Sequence, residues 1–326
     1  MSDGFVGGRR INGTMESKKI VKHKGTVKTI QGNNGDVIDC VDIYQQPAFD
    51  HPLLKNHIIQ MEPSSIPNVT NEEFYDAELF QDLLENEECP EGTIPIRHAR
   101  EYEYYPHRAI PPAALARRKN LNIRVDYDNT GHEYANVHLS DGNHHGANAF
   151  INVWNPTIND GEVSIAQIWL TAGPSDLLNS VEAGWSVSWP DKEPKFFVYW
   201  TNNGNWWLQV KGKVLGYWPS SIFTYLKTSA TAVTWGGEIY DSGKQPHHTT
   251  TQMGSGHFPS EGYRKASYFR NIQYMDSMGK FIDPDRGQLR PSATKSGCYD
   301  VSIATHDGNF GTHFYFGGPG YSTKCP

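Results

Sequence analysis

The feature that most constrains the fold is a succession of short segments, from residue 131 onward, in which apolar and polar residues alternate. A period of two is typical of half-buried β-strands, and the glycines and prolines between the segments indicate turns. The chain holds 31 glycines and 20 prolines, which agrees with frequent turns. Short strands joined by turns predict an all-β fold, an antiparallel β-sandwich of the jelly-roll type. The predicted strands are residues 132–139, 146–154, 164–170, 181–187, 195–201, 205–210, 213–217, 232–241, 266–275 and 311–316.

The first third of the chain has a mixed character. Residues 26–31 and 37–43 predict a hairpin around the turn residues Asn34 and Gly35. Residues 72–88 carry apolar side chains at a spacing of three and four, preceded by Asn71 as a cap, which predicts a helix. This part of the chain is therefore expected to form a small α+β domain.

A change in composition separates the two parts. Residues 101–128 are rich in proline and basic residues, which is typical of an exposed linker. We therefore expect a disordered arm over residues 1–20, the α+β domain with its linker over residues 21–128, and the β-sandwich over residues 129–326.

The composition argues against several classes of function. A formal net charge of −7 argues against a nucleic-acid partner, because phosphate contacts need a basic surface. No run approaches the ~18 apolar residues of a membrane helix, so no membrane partner is expected. The N-terminal residues contain no apolar core of a secretory signal.

The cysteines point to an oxidising compartment. They lie far apart in the chain, at Cys40, Cys89, Cys298 and Cys325. They form no CxxC pair, so a zinc site is not expected. An even number, two near each end of the chain, fits two disulfides. Asn12 and Asn68 begin sequons for N-glycosylation, a modification of secreted proteins.

Two glutamates interrupt otherwise apolar β segments. Glu182 follows Val181 and is close to Gly184, and Glu238 directly follows two glycines. Alternation places Glu182 on one face of its strand with Gly184, and places Trp185 on the other face. Small neighbours beside a strand carboxylate are typical of a cleft where a ligand approaches the backbone.

The two glutamates can form an acid/base pair if their strands are neighbours in one sheet. Like charges a few ångströms apart do not both ionise readily, so one carboxyl keeps its proton to higher pH. The ionised glutamate can then take a proton from water, and the protonated one can donate to a carbonyl or leaving group. The alternative is that Glu182 and Glu238 are unrelated surface residues.

Two other functions fit parts of the sequence. An exposed aromatic row would suit a carbohydrate-binding module of the cell wall, although tryptophan is more often buried; the candidate residues are Trp206, Trp207, Tyr217 and Trp218. Two carboxylates on a sandwich also suit a glycoside hydrolase, with separations of about 5–5.5 Å for retention and about 6.5–9.5 Å for inversion. The histidines His247, His248 and His257 have no spacing typical of a helical ligand pair, so neither a metal nor a cofactor is expected.

Many separate motifs resemble the plant neprosin family of glutamic peptidases, in the family's order and from about residue 26 onward. The motifs of the activation peptide are residues 35–41, 46–52 and 89–95. The motifs of the catalytic domain are residues 179–185 (NSVEAGW), 204–208, 216–219, 235–238 (WGGE), 253–258 and 315–320.

The resemblance implies a zymogen whose pro-domain, residues 21–128, is cleaved at acid pH from a catalytic β-sandwich, residues 129–326. The implied partners are a peptide or protein substrate and the protein's own pro-domain as inhibitor, and the implied location is extracellular or vacuolar. The implied activity is endopeptidase cleavage after proline, in which Glu182 and Glu238 activate a water molecule without metal, cofactor or covalent intermediate.

The resemblance also implies roles for further residues. Gln167 and Tyr199 occupy matching motifs, and either is able to donate a hydrogen bond to a developing oxyanion. Trp185 and Trp235, which lie in the motifs of the two glutamates, are expected to contribute to substrate binding. The implied disulfides join Cys40 to Cys89 and Cys298 to Cys325.

One departure from the family pattern lies at residues 201–204. Family members carry several dozen residues between the strand that ends at Thr201 and the strand that begins near Asn205, and this chain joins the two directly. The loss of several strands predicts exposed sheet edges and core, and an inactive member of the family is the alternative to an active enzyme.

Overall fold

The computed structural model describes residues 22–31, 37–64, 89–98, 131–175, 177–188, 195–196, 200–202, 205–210, 213–304, 308 and 310–326. The chain divides into two compact units. The N-terminal unit comprises Met1–Lys55 and Ala77–Glu103, and the C-terminal unit comprises Asn56–Asp76 and Tyr104–Pro326. The predicted helix, the predicted linker, the N-terminal arm, Asn12, Asn68 and Tyr199 lie outside the described residues.

The N-terminal unit contains a three-stranded antiparallel sheet in the order β1-β2-β3. The strands are β1 (Thr26–Gln31), β2 (Val37–Asp42) and β3 (Thr93–Arg97), and two 3₁₀ turns cover Pro47–Asp50 and Pro52–Leu54. Gln31 pairs with Val37, so the predicted hairpin is present. A disulfide joins Cys40 of β2 to Cys89, the pairing that the resemblance implies.

The C-terminal unit is built from antiparallel strands, as the alternation predicts. The strands are β4 (His132–His144), β5 (Gly146–Ile151), β6 (Val163–Ala172), β7 (Asn179–Ser188), β8 (Lys195–Phe196), β9 (Trp200–Asn202), β10 (Asn205–Val210), β11 (Lys213–Trp218), β12 (Ala230–Tyr240), β13 (Ser267–Met275), β14 (Phe281–Ile282), β15 (Arg290–Ala293), β16 (Asp300–Ile303) and β17 (Phe314–Gly317). Two 3₁₀ turns cover Ser220–Ile222 and Pro259–Glu261.

Two sheets enclose the core of the C-terminal unit. Among the described residues one sheet has the order β15-β4-β12-β6-β7-β8, and the other has the order β14-β13-β17-β16, with β5 paired to β13. The core face of β6 carries Ala166, Ile168 and Leu170, which cluster with Phe269 and Phe316 of the second sheet. The fold is therefore an all-β antiparallel sandwich. A disulfide joins Cys298 to Cys325, again the implied pair.

The sequence misplaces some strand ends and misses some strands. β4 continues five residues beyond the predicted end, to His144, because the alternation weakens in its polar second half while the pairing to β12 continues. The predicted strand over residues 195–201 contains the two short strands β8 and β9. β15 and β16 are not predicted, because Arg290-Pro291-Ser292-Ala293 and Asp300-Val301-Ser302-Ile303 are too short for a clear period.

The short join at residues 201–204 connects two paired strands. Asn202 of β9 pairs with Asn205 of β10, and β10 pairs with β11, which gives a third sheet. Trp206 and Trp207 of β10 are adjacent and point to opposite faces, and they are 2% and 1% exposed, so both faces of β10 are covered there despite the join. Their burial argues against an exposed aromatic row for sugar binding.

A segment near residue 60 packs on this third sheet. Tyr217 of β11 accepts a hydrogen bond from the Gln60 amide at 2.8 Å, and its hydroxyl lies 2.7 Å from His57 Nε2. The Gln60 side chain in turn accepts a bond from Asn205 at 3.0 Å. Among the described residues no helix is long and apolar enough to cross a membrane.

Candidate active site

The side chain of Gln167 lies between the two predicted glutamates. Its Nε2 donates to Oε2 of Glu182 and to Oε2 of Glu238, each at 3.3 Å. Gln167 lies on β6, which is flanked by β7 with Glu182 and by β12 with Glu238. The two carboxylates therefore lie on one sheet face, on strands separated only by β6, within two hydrogen-bond lengths of each other.

Glycines on the adjacent strands explain how one amide reaches both carboxylates. Gln167 pairs with Gly184 on one side and with Gly236 on the other, so no side chain stands directly beside it. Each glutamate is two residues from its glycine and lies diagonal to Gln167, at a distance that long side chains can span. Gly184 also allows a close approach of the strands, because a Cβ there would lie 1.9 Å from the Ala166 carbonyl oxygen.

Glu238 is surrounded by hydrogen-bond donors. Its side chain is 1% exposed, and its Oε1 lies 2.6 Å from His132 Nδ1. The Tyr134 hydroxyl donates to the same oxygen at 3.2 Å, and Gln167 donates to the other oxygen. Both oxygens of Glu238 therefore accept hydrogen bonds from neighbouring side chains.

The surroundings of Glu182 favour its protonated form. Burial and the nearby charge of Glu238 raise the pKa of Glu182 from 4.5 to about 7, against the lowering effects of Ser180, Gln167 and His132. The Ser180 hydroxyl donates to Oε1 of Glu182 at 2.7 Å. One carboxyl of the pair therefore keeps its proton at acid pH, as the analysis of like charges predicts.

Sequence reasoning missed His132, Tyr134 and Ser180. His132 and Tyr134 point from β4 to the same sheet face as Glu238, because Tyr134 pairs directly with Glu238. They are 106 and 104 residues from Glu238 in the chain, so no local spacing connects them. Ser180 had a detectable signal, because it lies two residues before Glu182 and so shares its face.

The structure does not bring every predicted residue to the site. Trp185 and Trp235 are buried in the core on the opposite face of the sheet, because each lies an odd number of residues from its glutamate. The Trp185 ring donates to the Asn152 carbonyl at 3.0 Å and so supports the core. Neither tryptophan contacts the carboxylate pair, which corrects the expectation that both contribute to substrate binding.

A third buried glutamate holds the loop that follows β12. Both oxygens of Glu162 are satisfied: Oε1 accepts from the Ser242 amide at 3.2 Å and from its hydroxyl at 2.9 Å. Oε2 accepts from the hydroxyls of Thr249 and Thr251. These four bonds hold the residues that follow β12 to the residue that precedes β6.

The three histidines considered as metal ligands have different hydrogen-bond partners. His248 Nε2 lies 3.0 Å from Glu133 Oε1, and Lys295 Nζ lies 2.7 Å from the same oxygen. His257 instead pairs with Glu261 at 2.9 Å. Burial by itself would raise the pKa of Glu133, but hydrogen bonds and charges from His248 and Lys295 outweigh it and lower the pKa.

Comparison with known families gives two matches for this chain. The model of the neprosin family matches residues 160–204 and 201–319, and the model of the neprosin activation peptide matches residues 29–138. Glu182 lies in the first neprosin segment and Glu238 in the second. The two segments meet at the short join between β9 and β10. The chain thus belongs to the neprosin family, as a protease precursor that carries the neprosin activation peptide.

Proposed function

We propose that this protein is the precursor of a glutamic endopeptidase that hydrolyses peptide bonds, after proline, with a water molecule activated between Glu182 and Glu238. The observation that carries the proposal is the Gln167 amide, which bonds one oxygen of each carboxylate at 3.3 Å. General acid/base hydrolysis needs one charged and one protonated group within reach of the same water. The preference for proline rests on the resemblance to the family.

In this mechanism Glu238 is the base and Glu182 is the acid. Glu238, which accepts from several donors, takes a proton from water as the water oxygen bonds to the peptide carbonyl carbon. Glu182, whose pKa is about 7, gives its proton to the leaving nitrogen as the carbon–nitrogen bond breaks. A proton transfer from Glu238 to Glu182 restores the starting state.

The activation peptide is the proposed inhibitor. We propose that the segment removed on activation ends before β4. β4 lies between β12 and β15, and its residues His132 and Tyr134 contact Glu238. Removal of these residues would dismantle the surroundings of the base. We therefore place the cut N-terminal to His132, which agrees with a catalytic domain over residues 129–326. The two disulfides support an extracellular or vacuolar location.

The test is acid activation of the expressed precursor, followed on a gel at about pH 4 and then by cleavage of a proline-containing peptide. Glu182→Gln and Glu238→Gln are each expected to abolish both processing and peptide cleavage while tryptophan fluorescence stays native. Glu261→Gln removes an exposed carboxylate of the same unit and serves as the matched control. Turnover is expected to fall as the pH rises through about 7, because the acid then loses its proton.

Two outcomes would refute the proposal. Normal turnover in either glutamine variant would show that the pair does not carry the reaction. Hydrolysis of a cell-wall oligosaccharide in place of the peptide, lost in the same variants, would assign the two carboxylates to a glycoside hydrolase instead.

A further inference from the structure

Two histidines and one aspartate of the N-terminal unit meet, and none of the three belongs to the proposed active site. Asp39 lies on β2, the central strand of the three-stranded sheet, and its side chain is fully buried. His23 precedes β1 and His98 directly follows β3. The three side chains therefore come from the central strand and from the segments beside the two outer strands.

A tight turn brings His23 back over the sheet. The His23 carbonyl accepts bonds from the Thr26 amide at 3.2 Å and from the Thr26 hydroxyl at 2.6 Å. Gly25 within this turn has a φ of +78°, a conformation that favours glycine. The turn that contains Gly25 and Thr26 therefore fixes the position of His23.

The three side chains offer ligand atoms at a spacing suited to a metal ion. Asp39 Oδ2 lies 3.1 Å from His23 Nδ1 and 2.7 Å from His98 Nε2, and the three atoms all lie within 4.8 Å of one another. Ligand atoms of a tetrahedral zinc site, with bonds near 2.1 Å, are roughly 3.4 Å apart. Small movements of the two imidazoles would therefore open a place for an ion.

The surroundings of Asp39 suit a ligand that is already charged and oriented. Burial by itself would raise the pKa of Asp39, but bonds from the His23 amide, from Thr29 and from the two imidazoles outweigh it and hold the pKa well below its ordinary value. The Thr29 hydroxyl donates to the second oxygen at 2.8 Å, which fixes the carboxylate. The His23 and His98 side chains are 27% and 18% exposed, so an ion can enter from solvent.

Other clusters among the described residues are less suited to an ion. The group of His248, Cys298 and Cys325 has its cysteines in a disulfide, so it offers no thiolate. In the group of Glu133, Asp241 and His248, the ammonium of Lys295 already lies 2.7 Å from Glu133 and would repel a cation.

We propose that His23, Asp39 and His98 form a binding site for a divalent transition-metal ion, with Zn²⁺ as the reference case. Two imidazoles and one carboxylate are ligands that zinc and its neighbours prefer, whereas calcium and magnesium prefer oxygen alone. The bound ion would join the segments before β1 and after β3 to the central strand.

The test is a calorimetric titration of ZnCl₂ into the metal-free full-length chain at pH 7.5. One ion per chain is expected. His98→Gln and His23→Gln are each expected to weaken binding at least tenfold, because each removes one of three ligands while the amide can still donate to Asp39. His248→Gln tests the competing group and is expected to bind zinc as the wild type does.

X-ray absorption at the zinc edge of the wild-type complex gives a readout that needs no variant. It is expected to show two imidazole nitrogens with oxygen ligands and no sulfur. Absence of binding at pH 7.5, a shell without imidazole, or binding that His98→Gln leaves unchanged would each overturn the proposal. Loss of binding in His248→Gln alone would move the ion to the competing group and would equally overturn it.

Discussion

Replacement of Glu182 by glutamine is expected to stabilise the C-terminal unit at neutral pH while it removes the proposed acid. The glutamine has nearly the same shape as the glutamate. Its oxygen can accept from the Gln167 amide, and its nitrogen can donate to the Ser180 hydroxyl, which is able to accept. The main change is therefore the loss of a buried ionisable group beside Glu238.

The size of the effect follows from the raised pKa of Glu182. Because the folded-state pKa of about 7 lies above the ordinary value of 4.5, the protonated form stabilises the fold. This stability is fully present below pH 4.5 and is lost as the pH rises to about 7. At 1.36 kcal/mol per unit, the advantage of Glu182→Gln grows from about 1 kcal/mol at pH 5.5 to about 3 kcal/mol at pH 8.

The assay is urea unfolding of both unprocessed precursors at the two pH values, followed by tryptophan fluorescence. All nine tryptophans lie in the C-terminal unit, so the signal reports on that unit alone. Glu62→Gln removes an exposed carboxylate of the same unit and is the matched control. An advantage of Glu182→Gln that is equal at both pH values, or that shrinks as the pH rises, would refute the argument.

Two further substitutions test the surroundings of the site by the same unfolding assay. Gly184→Ala would place a Cβ 1.9 Å from the Ala166 carbonyl oxygen and 2.5 Å from Gln167 Cα, so β7 must move away from β6. We expect the free energy of unfolding to fall by about 1–3 kcal/mol. An unchanged unfolding midpoint would contradict this. Burial lowers the pKa of His248, but the bond and charge of Glu133 outweigh it and raise the pKa above 6.5. The ion pair thus stabilises fully below pH 6.5 and fades as the pH rises through the raised value. The loss of stability in His248→Gln relative to the wild type should therefore be largest below pH 6.5. A loss of stability that grows as the pH rises would contradict this prediction.

The sequence predicts the sheet faces well, because alternation is a local property. It places Glu182 on the face of Gly184 and opposite Trp185, and the pairing of β7 with β6 confirms this. It also predicts the sandwich and most of its strands. Strand ends are less well predicted, because the pairing partner decides them: β4 continues to His144 along β12 although its own pattern has faded.

Contacts across the sheets are beyond what local spacing can predict. His132 reaches Glu238 because β4 pairs with β12, a relation that only the folded chain defines. The same holds for Asp39, whose two histidine partners are 16 and 59 residues away. A search for CxxC or helical spacing does not find such a group, because its residues are far apart in the sequence and meet only when the strands pair.

The pairing of Asn202 with Asn205 indicates a place where the chain tolerates inserted residues. Two residues separate these paired positions in the sequence, and the two matched neprosin segments meet there, between the antiparallel neighbours β9 and β10. Each doubling of a loop closed by fixed ends costs only about 0.6 kcal/mol, so several dozen residues can be gained or lost there at a cost of a few kcal/mol at most. Insertion of a foreign domain between Asn203 and Gly204 should therefore leave the register of the sheet that carries Glu182 and Glu238 unchanged.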